Sequence, residues 1–140
     1  MAAKTFDISF EGYWREPKIG GIPNKSGVYC VYECTHNTSA ETVSIHRLIY
    51  IGESADVNRR INGHEKWNDW KRYVRSGNQL CFSFGYIESD YRERVEAALI
   101  NEHQPPVNSE YKYRFPFDTT TVRTSGCNAK LRSEFTVFRK

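Results

Sequence analysis

The chain lacks any long hydrophobic run. Nothing in its 140 residues approaches the roughly 18 consecutive apolar positions that a membrane-spanning helix needs. Its first residues, MAAKTFDISFEGYW, also lack the apolar core of a secretion signal, because Asp7 and Glu11 interrupt them. A cytoplasmic protein with no membrane partner is expected. Internal repeats and low-complexity segments are missing, and so is any zinc-finger or helix-turn-helix signature that would supply sequence specificity. Cysteine is sparse: Cys30, Cys34, Cys81 and Cys127 are scattered, and disulfides are not expected in the cytosol. Cys30 and Cys34 with His36 suggest a zinc cluster. On a strand, however, four residues span roughly 13 Å, too far for one tetrahedral ion. Small buried thiols are the expectation.

What is present fits one soluble globular domain, with 39% apolar and 26% charged residues. The net charge of +3 is uneven. Residues 1–110 carry 13 Lys and Arg against 15 Asp and Glu, whereas residues 111–140 carry 7 against 2. This basic tail also holds Tyr111, Tyr113, Phe115, Phe117, Phe135 and Phe138. It either follows a phosphate backbone or packs its aromatics on the domain. If the first holds, removing residues 111–140 should weaken binding to that phosphate backbone and flatten its salt dependence.

Alternation of Phe6, Ile8 and Phe10 predicts a half-buried strand over 5–10. Further strands are predicted over 27–34, 44–52 and 79–88, with weaker candidates at 119–123 and 134–138. A helix over 55–66 is expected, capped by Ser54, with Val57 and Ile61 buried and Arg60 and His64 four apart on a neighbouring face. Trp67 and Trp70 continue into a second helical segment. Asp90 with Glu93 resembles a capping box for a helix over 91–103, which Pro105-Pro106 ends. The order predicts an α+β fold, a small and mainly antiparallel sheet flanked by helices. Residues 1–22 form an N-terminal strand extension, 23–110 the main domain, and 111–140 a C-terminal extension packed on it.

Within this frame five short matches occur in order: Gly27-Val28-Tyr29, Tyr50-Ile51-Gly52, Arg60 with His64, Glu96, and Asn108. Together they supply a proton acceptor, a cation for a phosphate and an oxygen ligand for a hard metal ion, a mixture suited to phosphodiester cleavage. Each also has an ordinary alternative. Tyrosines are common in sheets, Arg60 and His64 suit a solvated helix, Glu96 sits among Arg92, Glu93 and Arg94, and Asn108 suits a turn.

The stretch 26–108 resembles the GIY-YIG nuclease domain found in homing endonucleases, excision-repair nucleases and some restriction enzymes. The signatures are Gly27-Val28-Tyr29 and Tyr50-Ile51-Gly52. Arg60 stands ten positions after the second tyrosine, where that family places its arginine, and His64 four later. Glu96 and Asn108, in EAALINEHQPPVN, match its metal-binding glutamate and the asparagine twelve positions on. The resemblance implies a divalent-metal-dependent DNA endonuclease leaving 5′-phosphate and 3′-hydroxyl ends. Tyr29 would accept a proton from water, and Tyr50 would orient that water or a phosphate oxygen. Arg60 would stabilise phosphate charge, and His64 would relay the Tyr29 proton or bind phosphate. Glu96 would hold Mg²⁺ or Mn²⁺, with Asn108 orienting Glu96 or a metal-bound water. Double-strand cleavage would require a homodimer or sequential nicks. The chain departs from the pattern in its long loop between the signature strands and in Glu53, where some members carry Lys or Ser. Two alternatives stand beside this one. A nucleic-acid-binding module that has lost cleavage is one; an interaction domain using exposed Trp14, Trp67 and Trp70 is the other.

Overall fold

The computed structural model describes residues 2–140, and within them six strands form a single sheet. They are β1 (Lys4–Arg15), β2 (Gly27–Asn37), β3 (Thr42–Ser54), β4 (Gln79–Tyr86), β5 (Thr120–Gly126) and β6 (Glu134–Val137). Their spatial order is β3-β2-β4-β1-β5-β6. The α+β class and the mainly antiparallel sheet are as expected: among these neighbours only β1 and β5 run parallel. Among the described residues three α-helices accompany the sheet, α1 (Val57–Ile61), α2 (Trp67–Lys71) and α3 (Arg92–His103).

β2 lies between two partners and is covered on both faces. Val28, Cys30, Tyr32 and Cys34 join the core under α3, while Tyr29 and Val31 join the core under α1 and α2. Burial on both sides explains why GVYCVYEC reads as a continuous run of strand formers without polar alternation. The Cys30, Cys34 and Cys81 thiols are free and buried, as expected. The single charged side chain in that run, Glu33, is fully buried. It accepts hydrogen bonds from Arg75 N at 2.9 Å, Arg75 Nε at 3.0 Å and Asn78 Nδ2 at 2.8 Å.

Several local expectations are corrected. The helix expected over 55–66 is only the five-residue α1, because Asn62 turns extended (φ −70°, ψ 109°) and Gly63 then takes φ +84° in a left-handed turn. Its cap is Asp56, whose carboxylate accepts from Arg59 N at 3.1 Å; the Ser54 hydroxyl instead accepts from Asp56 N at 3.0 Å. The expected capping box of α3 does not form. A 3₁₀ turn over Ser89–Tyr91 precedes the helix, which has no side-chain cap. Glu93 instead accepts the Tyr111 hydroxyl at 2.6 Å. Trp70 is fully buried, Trp67 stacks on Phe82 at 5.8 Å, and Trp14 is half-buried. Trp70 is therefore core, while Trp14 and Trp67 are half-buried and packed against that core.

The C-terminal segment is integral to the sheet. Phe115, Val122, Phe135 and Val137 are buried in the core under α3. The Arg94 guanidinium binds Thr120 Oγ1 at 2.8 Å and the carbonyls of Ala2 and Thr119 at 2.9 and 3.1 Å. Deleting residues 111–140 would thus remove two strands and open the core, so it cannot isolate a DNA contact. Of the tail aromatics, Tyr113 and Phe138 remain exposed.

Candidate active site

The hairpin of β2 and β3 positions both signature tyrosines. Tyr29 stands opposite Gly52 and Val31 opposite Tyr50. The Tyr29 ring lies across Gly52, where any Cβ would overlap ring atoms Cζ and Oη. At Gly27 a Cβ would instead overlap the Gly85 carbonyl of β4. Each signature glycine is thus a requirement of close approach, to a side chain in one case and to backbone in the other.

His64 follows α1 after the Gly63 turn and is buried. Its Nδ1 accepts from Lys66 N at 3.0 Å, and its Nε2 lies 3.0 Å from Tyr29 Oη. An acceptor at Nδ1 assigns the proton of the neutral ring to Nε2, so His64 donates to the Tyr29 oxygen. Burial, and next the Arg60 charge, push His64 down to about 4, so the ring is neutral at pH 7. In this tautomer Nε2 is not free to take a proton from Tyr29; it steadies negative charge on the phenol oxygen instead. The ring packs on Trp70 at 4.5 Å between centroids and on Tyr50 at 5.8 Å.

Burial, followed by Tyr50, holds the Tyr29 phenol well above its usual range against the lowering effect of Arg60. Burial and Glu96 push Tyr50 up to about 12. Both are neutral phenols in the free protein. Arg60 makes a two-pronged pair with Glu65, each contact 2.6 Å. Glu96, on α3, is pushed up to about 8, first by burial and then by Glu53, Glu110 and Glu93. Glu53 has its own counter-ion in Arg92, at 2.8 Å, and Arg92 also donates to Ser26 Oγ at 3.0 Å.

The Asn108 amide is fully engaged by β3. Its Oδ1 accepts from Ile51 N at 2.9 Å and its Nδ2 donates to Ile51 O at 2.8 Å. Val107 N extends the pattern by donating to Ile49 O at 3.2 Å. Because β3 is an edge strand, Asn108 substitutes for the missing neighbour and fixes the edge from which Tyr50 projects.

Tyr29, Tyr50, Arg60, Glu96 and Asn108 all line one cavity of about 320 Å³, and His64 stands behind it against Tyr29. The cavity lies at the β3 edge, where the two faces of the sheet meet. Tyr29 belongs to the core under α1 and α2, whereas α3, which carries Glu96, covers the opposite core. Lys66, Glu53, Glu93 and Glu110 add charge to the wall. Lys66 follows His64 by two residues, and Glu93 stands three before Glu96 on the same helix face, but no sequence signal marks Glu110 as facing Glu96.

A model of the GIY-YIG catalytic domain matches residues 27–112. The chain belongs to the GIY-YIG family. No curated protein and no solved structure matches it. The matched region runs from β2 past α3 and contains every lining residue of the cavity. The GIY-YIG domain is a nuclease domain, so the chain belongs to a family of hydrolases that act on nucleic acid and generally use divalent metal ions. Strands β1, β5 and β6 lie outside the match. Among the described residues no helix is long and apolar enough to cross a membrane.

Proposed function

We propose that this GIY-YIG protein is a divalent-metal-dependent DNA endonuclease whose products carry 5′-phosphate and 3′-hydroxyl ends. The observation that carries the proposal is the convergence of Tyr29, Tyr50, Arg60 and Glu96 on one cavity, with His64 donating to Tyr29. Glu96 would hold Mg²⁺ or Mn²⁺. Its surroundings fit a hard cation: the donors are carboxylate and phenol oxygens, and the crowding of Glu96 by Glu53, Glu110 and Glu93 is the kind of strain a divalent charge relieves. Among the described residues no three His, Cys, Asp or Glu side chains form a metal cage, and Glu96 is the ligand proposed here. When bound, the ion supplies Lewis-acid stabilisation of charge on the leaving 3′-oxygen.

The protein's own residues account for the rest. Tyr29, after losing its phenol proton to solvent water, accepts a proton from the attacking water, and His64 Nε2–H stabilises the phenolate that does so. Tyr50 orients that water. A new bond forms from the water oxygen to phosphorus, the bond to the 3′-oxygen breaks in line, and the 3′-oxygen takes up a proton from solvent water. Arg60 donates to the non-bridging oxygens as charge grows there. Asn108 acts through β3, keeping Tyr50 in place. Lys112, Tyr113 and Arg114, beyond the cavity-lining Tyr111, extend the DNA contact; neither Lys112 nor Arg114 forms an ion pair among the described residues. One cavity cuts one strand, so a double-strand break takes a homodimer or two nicks. A cytoplasmic restriction-type enzyme, or a small standalone repair or mobile-element nuclease, fits this chemistry.

The test is incubation of supercoiled plasmid with Mg²⁺, Mn²⁺ or EDTA beside the Glu96→Ala variant. Metal-dependent nicking that is lost in the variant is expected. Cleavage that leaves 3′-phosphate ends, or that survives Glu96→Ala, would overturn the mechanism.

A further inference from the structure

In the free protein Arg60 is already engaged by a carboxylate. Its Nη1 donates to Glu65 Oε1 and its Nη2 to Glu65 Oε2, both at 2.6 Å. A guanidinium holds the two non-bridging oxygens of a phosphodiester with the same two-pronged geometry. Glu65 and a phosphate therefore need the same donors. The local fold builds this pair. On a continuing helix, side chains meet three or four positions apart, not five. Here α1 stops at Ile61 and the turn at Gly63 brings Glu65 back beside Arg60.

The two neighbours of Glu65 in the chain are fixed. His64 is buried against Tyr29 and Trp70, and Lys66 N is bound to His64 Nδ1. The Glu65 side chain itself is 63% exposed and the Arg60 side chain 38% exposed. The carboxylate can therefore swing into water without stranding a buried charge, and His64, whose Nδ1 lies 3.9 Å from Glu65 Oε2, keeps its own contacts with Lys66 N and Tyr29.

We infer that Glu65 is a displaceable occupant of the phosphate seat on Arg60: it holds the guanidinium formed at the cavity wall and yields to the scissile phosphate by exchange. Glu65 is thus a positioning residue acting through Arg60. The inference rests on the proposal that this cavity engages DNA. Exchange lowers DNA affinity by whatever factor the pair must surrender. For an exposed pair of good geometry that factor is about two to five.

The experiment is fluorescence anisotropy of a labelled DNA duplex in EDTA, so that no cleavage intervenes. It compares wild type, Glu65→Gln, Arg60→Gln and the double variant at one low salt concentration. Glu65→Gln is expected to bind about two- to fivefold tighter than wild type. In the Arg60→Gln background the same change should alter affinity by less than about 1.5-fold, because its partner is gone. Two results would overturn the inference: Glu65→Gln no tighter than wild type, or equal tightening in both backgrounds, which would mark a general charge effect. Absence of duplex binding by wild-type protein would refute the DNA reading itself, and is distinguishable from either.

Discussion

Replacing Glu33 by glutamine tests how this sheet keeps a carboxylate inside it. Glu33 lies four residues along β2 from Tyr29, with no exposed side-chain surface. Its partners reach in from outside: the Arg75 and Arg47 side chains are 63% and 43% exposed. Burial alone would raise the Glu33 carboxyl, but the hydrogen bonds from Arg75 and Asn78 outweigh it and bring the group down to about 2, from an ordinary 4.5. A depressed folded-state value means stability that is present above the unfolded value and lost as pH falls toward the folded one. The window is therefore pH 4.5 to 2. At about 1.36 kcal/mol per unit, the full contribution is on the order of 3 kcal/mol, of which about 2 kcal/mol is lost between pH 6 and 3. The assay is urea unfolding of wild type and Glu33→Gln across that range. At pH 6 the variant should be less stable by on the order of 3 kcal/mol, because Arg75 and Asn78 then face a neutral amide that satisfies them incompletely. The gap should narrow by about 2 kcal/mol at pH 3. A gap that stays constant or widens on acidification would refute the reasoning.

Two further predictions concern the site and its DNA contact. Gly52→Ala places a methyl group within the Tyr29 ring, so plasmid nicking should fall by at least about 100-fold with a stability loss of about 1–3 kcal/mol. Nicking within threefold of wild type would show that the close approach is not needed. Neutralising Lys112 and Arg114 together should reduce the slope of log affinity against log salt by about 1.8, with an unchanged melting temperature, since both side chains lie outside the core. An unchanged slope would remove this loop from the DNA contact.

Most of the site could be read along the chain because its signals are local. The two signature strands, the spacing from Tyr50 to Arg60, and the helix bearing Glu96 before Pro105-Pro106 all depend on residues close in sequence. Other features depend on pairings between distant residues. Nothing near Asn108 reveals that its amide completes the open edge of β3 at Ile51, 57 positions away. The crowding of Glu96 by Glu53 and Glu110 requires α3 and the loop after it to meet at that same edge. The parallel pairing of β1 with β5 turns an apparent tail into sheet, and leaves no pattern in either strand. The pairing of Arg60 with Glu65 is close in sequence, yet a continuous helix would hide it, and the chain leaves that helix at Asn62 and Gly63. The sequence by itself determined which chemical groups the site contains, because composition and short spacings set strands and helices. Only the tertiary structure decided which groups face one another, and so the charge on His64, the environment of Glu96 and the occupant of Arg60, because burial and Coulomb interactions act through space and not along the chain.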